Sequence, residues 1–410
     1  MIEKMQVTKS KIISYGVFLF ALSIVSVNLI SLIFPALLLT STTSPESHIN
    51  PFQIGAWTVP FLAANLAVLA FGLIYYKHRL PSIATRAFRF ILRFEVSRKT
   101  AIVSFAIILG IYIVYSSGEL TANEEDVWDD WKVVGPIIDS FPDGGEDNLP
   151  LRVIYVNNFL LYGSQEILQN VKVIPFIASI SLVFVTYFLT VKLSKKRFAG
   201  LVATIVLLQS HTFLRYDTTA TYTNFWTVFY LASLYLVYKK WPLSPVSFIA
   251  SIFSKALSIA FIPMTLFFVL RSNTKSKHKL GLVISYLAII GAAIAAMLTI
   301  GGLGYSKTLT EFNGVDFVSG FTSWAFQLRI DGLVLVFLLP LVVGLFIKSQ
   351  KGFMDADSIL VLIAGVLISV PLLAGFTQFN IQPYRWIPLI AFFAIGVGML
   401  LSKSASGSED

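Results

Sequence analysis

The sequence predicts an all-α, polytopic membrane bundle, and three observations carry that prediction. Of its 410 residues, 56% are apolar and 13% charged, where soluble chains average about 45–50% and about 25%. Ten apolar runs are long enough to cross a bilayer, which takes ~20 residues each. Lys and Arg collect in alternate loops, as the positive-inside rule requires. That many spans use nearly all the apolar residues, so a large soluble enzyme domain is excluded. No cysteine is present, which removes disulfides, thiolate metal sites and cysteine nucleophiles from consideration.

The first run, 12–40, exceeds the ~7–15-residue core of a cleaved signal peptide and reads as a signal anchor. A second run covers 55–76. In the stretch 80–98 beyond it, Arg86, Arg89 and Arg93 are spaced for one helix face, and Ile83, Phe88, Phe90, Ile91 and Leu92 for others. Both an amphipathic helix on the inner membrane surface and an ordinary basic loop that helps orientation fit this stretch. The third run, 101–116, leads into an acidic outer loop, 117–171. Its second half, 151–169, has apolar residues at broad helical spacing and reads as an outer-surface helix. Runs at 173–193, 198–213 and 223–238 come next. Residues 246–270 are interrupted by Ser254-Lys255, contain Pro263 and have basic residues at both ends, which suits a hairpin of two short helices. The last four runs are 280–302, 330–347, 358–375 and 386–402. Residues 1–100 are therefore expected to hold two spans and a basic segment, 101–402 the main transmembrane domain, and 403–410 a tail.

With both termini inside, the inner segments hold 23 basic and 6 acidic residues and the outer segments 8 basic and 16 acidic, so +17 and −8 make up the net +9. The basic excess orients a multi-pass chain in the cell membrane, and nucleic acid is not an expected partner.

Polar chemistry is then sought on the outer face. The spans hold almost no ionisable groups, whereas ion-coupled transporters keep a carboxylate near the midplane. The loop 117–150 carries ten carboxylates, most of which read as solvated charge. Glu124, Glu125 and Asp126 differ in position: they come about eight residues after a span and precede Trp128 and Trp131. A carboxylate there is placed to act as general base on an acceptor hydroxyl. Outer cations are few. Arg215 and Arg329 each have an aspartate two residues on, Asp217 and Asp331, and read as rim ion pairs. Arg385 and Lys255 have no local acid, so snorkelling and phosphate binding both suit them. The four histidines are scattered without HExxH, and no metal ligand set emerges. Gly301–Thr308 falls short of a phosphate-binding loop because Ser306 stands where its second glycine belongs.

The stretches LRVIYVNNFLLYGS (151–164), residues 171–240, SFIASIFSKALSIAFIPMTLFF (247–268) and QPYRWIPLIAFFAIGVGMLL (382–401) resemble the GT-C integral-membrane glycosyltransferases, particularly their protein O-mannosyltransferase and aminoarabinose-transferase branch. The resemblance implies a catalytic acidic pair at Glu124 and Glu125, with Asp126 the neighbouring option, and an aromatic at Trp128. It also implies donor-phosphate contacts at Arg215, Lys255 and Arg385, with Tyr216, Asp217 and Asn224 lining the substrate. In three places the chain departs from the family: Glu for Asp in the acidic pair, Lys172 for Arg, and Asn224 for Asp. The spans at 12–40 and 55–76 have no counterpart in it. The same resemblance implies a polyprenyl-phosphate sugar as donor, a lipid, glycan or protein hydroxyl as acceptor, and inversion at the anomeric carbon. No cofactor is called for; a divalent metal is compatible with the carboxylates but has no residue pattern behind it. A polyprenyl-lipid or polysaccharide transporter and a non-catalytic membrane subunit are the competing readings.

Because the chain lacks cysteine, single cysteines report sidedness without background. Thr121→Cys and Ser140→Cys are expected to react with a membrane-impermeant maleimide in intact cells. Ser82→Cys and Ser97→Cys are expected to react only after permeabilisation, and the reverse pattern would overturn the orientation.

Overall fold

A computed structural model describes residues 2–38, 50–77, 79–121, 130–142, 154–299, 311–376 and 382–402, with side chains left undescribed at 2–9, 76 and 296–299. Among these residues there is no strand. Among the described residues, eight helices are long and apolar enough to cross a membrane, at Ser10–Ile33, Thr58–Tyr75, Arg98–Thr121, Val173–Ser194, Ser276–Ala295, Gly332–Gln350, Met354–Phe376 and Pro383–Leu400. The chain is a multi-pass membrane protein built as a helical bundle.

Two of the ten expected runs form shorter helices. The run at 198–213 gives only α8 (Arg197–Leu208), because Ser210 starts a new turn, α9 (His211–Arg215), its Oγ accepting from the Phe213 N–H at 3.1 Å. A hydroxyl that caps one helix ends the helix before it. The run at 223–238 gives α10 (Phe225–Lys239), of 15 residues, closed by Lys240-Trp241-Pro242. Residues 246–270 divide as expected into two short helices, α11 (Leu243–Ser254) and α12 (Ile262–Arg271), with Lys255 extended between them (φ −160°, ψ 117°) and a 3₁₀ segment, Ala256–Phe261, leading into the second.

The contacts divide the chain into two units, one of residues 1–101, 190–206 and 310–410, the other of 102–189 and 207–309. In the first, α1 (Ile2–Ile33) packs on α16 (Gly332–Gln350) and α17 (Met354–Phe376), α2 (Thr58–Tyr76) on α16, and α18 (Ile387–Leu400) on both α16 and α17. Almost every residue of α18 is buried, as a helix apolar all round should be. Gly398 allows close approach there: a Cβ would lie 2.7 Å from the Ala199 carbonyl and 2.4 Å from Thr190 Cγ2. Between α16 and α17 the turn needs Gly352, whose φ is +91°, a region that favours glycine. Buried Asp357 joins three helices, because Ser14 Oγ donates to its Oδ2 at 2.7 Å and Ser349 Oγ to its Oδ1. The expected pair of Arg329 with Asp331 does not form; the guanidinium lies 4.8 Å from the Phe326 ring centre instead.

The second unit is stitched by serines. Ser244, Ser247 and Ser251, at i, i+3 and i+7 on α11, donate to the carbonyls of Ser233, Phe229 and Trp226 on α10, at 2.8, 2.7 and 2.7 Å. Donors ascending while acceptors descend is antiparallel packing. Small hydroxyl residues bring the two backbones close and cross-link them where water is scarce.

Asp357→Ala removes two buried hydrogen bonds to a carboxylate, leaving Ser349 Oγ on Ser14 Oγ and Ser14 Oγ on the Ser10 carbonyl, and is expected to cost about 1–3 kcal/mol, lowering the thermal midpoint in detergent by several degrees. Ser358→Ala, beside it, removes a buried hydroxyl with no hydrogen-bond partner among the described residues and is expected to leave the midpoint unchanged.

Candidate functional site

The second unit contains an irregular segment, 216–224, joining α9 to α10, in which Tyr216, Asp217, Thr218, Thr219, Tyr222, Thr223 and Asn224 are all buried. Buried backbone without regular structure leaves carbonyls to satisfy, and side chains supply the donors. Ser179 Oγ, on α7 (Val173–Ser194), donates to the Asp217 carbonyl at 2.7 Å. Asn224 Nδ2 donates to the Tyr216 carbonyl at 3.2 Å and to Ser179 Oγ at 2.9 Å. An amide donor is what this place uses, so an aspartate at 224 would put a second carboxylate against a carbonyl oxygen.

From the same segment, side chains reach four other elements. Ser116 Oγ, at the end of α4 (Arg98–Ser117), donates to Asp217 Oδ2 at 2.7 Å. Thr218 Oγ1 donates to Glu119 Oε2 at 3.2 Å, in the turn Gly118–Thr121 that opens the acidic loop. Tyr222 OH donates to Asp130 Oδ2 at 2.8 Å, just before α5 (Trp131–Asp139). Thr223 Oγ1 donates to Asn157 Oδ1 at 2.6 Å, on α6 (Tyr155–Leu168). The last described acid before residues 122–129 and the first after them thus bond to one five-residue stretch, 218–222. Lys172, itself buried, donates its Nζ to the Glu119 carbonyl at 3.3 Å and fixes the same turn.

The expected pair of Arg215 with Asp217 does not form: Asp217 is fully buried on Ser116, whereas Arg215 is exposed with its guanidinium 5.9 Å from the Tyr216 ring centre. Burial, with the negative charge of Glu119 adding to it, pushes the Asp217 carboxyl from 3.8 up to about 7, against the lowering effect of Ser116 and of the Tyr112 hydroxyl. Asp217 lies outside the eight spans. Its side chain accepts from Ser116 and its carbonyl from Ser179, which holds the segment.

Lys255 occupies the extended break between α11 and the 3₁₀ segment. Arg385 belongs to the first unit, in the turn Pro383–Trp386, where its Nε and Nη1 are buried without a hydrogen-bond partner among the described residues. Glu124, Glu125, Asp126 and Trp128 lie outside the described residues. Tyr216 and Asn224 sit inside the segment, and the Tyr216 ring meets Tyr222 edge-on at 5.7 Å. Tyr112, Ser116, Glu119 and Ser179 were not anticipated from the sequence. The signal for two of them was there: Tyr112 and Ser116 stand at i, i+4 on a mostly apolar helix and share one face. Among the described residues, no group of three or more His, Asp or Glu is placed to hold a metal ion. Comparison with family models, with curated proteins and with solved structures finds no match to this chain.

An acid whose folded pKa lies above its unfolded value favours folding when protonated, so its contribution is complete below about pH 4 and is lost as pH rises through about 7. Asp217→Asn abolishes that titration while keeping an oxygen to accept from Ser116. The thermal midpoint of the variant minus that of the native chain is expected to rise between pH 4 and 7 and to level off above. A difference that is flat with pH would contradict it.

Proposed function

We propose that the protein is a glycosyltransferase of the cell membrane, with both termini cytoplasmic, that moves a sugar from a polyprenyl-phosphate donor to a hydroxyl acceptor at the outer face. The observation that carries this reading is the double anchoring of the acidic loop. Glu119 and Asp130, which bracket residues 122–129, bond to Thr218 and Tyr222 in the segment that begins directly after Arg215. Glu124 and Glu125 are each five residues from one anchor and Asp126 four, a reach of about 17 Å or less even at full extension. A general base and a phosphate-binding cation are the two charges that the transfer requires.

In the proposed reaction, Glu124 or Glu125, with Asp126 the neighbouring option, takes the proton of the acceptor hydroxyl. The oxygen attacks the anomeric carbon, the bond from that carbon to the phosphate oxygen breaks, and its electron pair leaves with the phosphate, so the configuration inverts. Arg215 and Lys255 meet the growing negative charge on the departing phosphate, an electrostatic effect worth most where water is excluded. The donor must come through the membrane, because nucleotide sugars stay on the cytoplasmic side and a polyprenyl chain can be carried across. Trp128 offers the sugar an aromatic face. The buried segment 216–224 holds both anchors of that stretch.

The test uses Glu124→Gln, Glu125→Gln and the double variant in proteoliposomes given a radiolabelled polyprenyl-phosphate hexose and a hydroxyl acceptor. Loss of general-base catalysis typically costs about 10²–10⁴-fold, and a drop of that size in transfer, with donor binding kept, is expected in at least the double variant. Undiminished transfer by all three would remove the base assignment. Donor movement across the bilayer without transfer by the native protein would favour a transporter, and neither activity a non-catalytic subunit.

A further inference from the structure

The helix α3 (Ser82–Arg93), between α2 and α4 in the chain, contains no buried residue. The periodicity of an α-helix puts Ser82, Thr85, Arg86, Arg89 and Arg93 along one face. Phe90 and Ile83 flank that face and Ile91 lies opposite it, and Ile83 is 79% and Phe90 64% exposed. A helix of this length with a broad apolar arc and a narrow basic one lies along a membrane surface rather than through it.

Three contacts within the first unit fix how it lies. Phe88 packs against Phe71 and Tyr75 of α2, with ring centres 5.7 and 5.3 Å apart. Lys196 Nζ donates to the Leu92 carbonyl in the last turn. Just beyond the helix, Glu95 Oε1 accepts from the Arg197 N–H at 3.1 Å, so the nearest acid is engaged by backbone. Between Lys77 and Phe94 there is no Asp or Glu. Arg86 and Arg89 make no hydrogen bond or ion pair among the described residues, although both are held on an anchored helix. Along them runs an open groove of about 500 Å³, lined by Ser82, Thr85, Arg86, Arg89, Phe90 and Arg93.

The geometry points to α3 as a docking surface for the phosphate headgroups of anionic phospholipids in the leaflet on the basic side of the protein. Guanidinium groups bind phosphate oxygens in a paired, directional way, and the Ser82 and Thr85 hydroxyls add donors at the same end of the groove. Phe90 borders those groups and lies exposed beside Ile83, an apolar edge suited to the acyl chains below a headgroup. Lys77, Arg79, Arg98 and Lys99, flanking the helix in sequence, raise the local positive potential. A soluble acidic partner would satisfy the arginines but would leave Ile83 and Phe90 in water. The bilayer satisfies both faces at once. This inference stands apart from sugar transfer and holds whatever the reaction.

The full-length protein would be purified, exposed to equimolar phosphatidylglycerol and phosphatidylcholine, and examined by native mass spectrometry for retained lipid. The native chain is expected to prefer phosphatidylglycerol, with the preference falling as salt rises. In the triple variant Arg86→Gln, Arg89→Gln, Arg93→Gln it is expected to fall about tenfold or more. A charge-matched variant, Lys275→Gln, Lys277→Gln, Lys351→Gln, also exposed, is expected to keep it. Equal preference in the native chain and the triple variant, or equal loss in both variants, would overturn the assignment. So would a native preference unchanged up to about 1 M salt, where charges are screened beyond about 3 Å, a measurement that needs no variant to fold. Binding of a soluble acidic peptide by the native chain in phosphatidylcholine alone, abolished in the triple variant and with no preference among lipids, would instead make the partner a protein.

Discussion

Buried backbone between helices has to find hydrogen-bond partners, and in the second unit that requirement shapes everything around 216–224. A helix satisfies its own carbonyls and amides within the segment, but an irregular stretch does not, and an unpaired buried polar group costs about 1–3 kcal/mol. The segment therefore draws donors from Ser179 and Asn224 for its carbonyls and sends its own hydroxyls out to Glu119, Asp130 and Asn157. Two of those bonds hold Glu119 and Asp130, on either side of residues 122–129 of the acidic loop, to the segment.

The spans were legible in the sequence because burial in lipid selects unbroken apolar runs, a signal that survives without knowledge of packing. The break at Lys255 was equally legible, since Ser254-Lys255 interrupts the apolar run and Pro263 follows eight residues later. Hydropathy failed where a polar side chain redirects the backbone without lowering the average. Ser210 ends one helix by capping the next, yet it weighs little against the apolar residues before it. The same blindness hid Ser116, which reads as one tolerated serine in a membrane helix until Asp217 is found against it. Pairing by sequence distance misled twice, at Arg215 with Asp217 and at Arg329 with Asp331. Side chains two apart in a turn do not face each other, and in each case the arginine settled near an aromatic ring.

Both units bury an aspartate and in both a serine hydroxyl donates to it, Ser116 to Asp217 and Ser14 and Ser349 to Asp357. The choice has an energetic basis. Burying an acid with an arginine desolvates two ions, and their attraction does not always repay that cost. A hydroxyl is neutral and short, so it brings helices closer together and costs little to desolvate. For Asp217 it also leaves the carboxyl free to be protonated near neutral pH, because burial raises its pKa and the side chains that lower it are neutral hydroxyls.

That economy bears on where the arginines are. Arg215, Arg86 and Arg89 are exposed, and Arg385 turns two nitrogens into the protein without a hydrogen-bond partner among the described residues. An ordered guanidinium has five donors to satisfy, and at the surface water or an anion can take those that the protein does not. Arg215 and the α3 arginines lie on or beside elements fixed by several other contacts, the segment 216–224 and the anchored helix. A guanidinium fixed in this way loses less freedom when an anion arrives, which is the general route by which a rigid support turns charge into affinity. Phosphate is the anion that a membrane offers in quantity, as a headgroup and, in the proposed reaction, as the leaving group. Under the two proposals one chemistry serves different ends: α3 would hold a phosphate that stays, and Arg215 would stabilise one that departs.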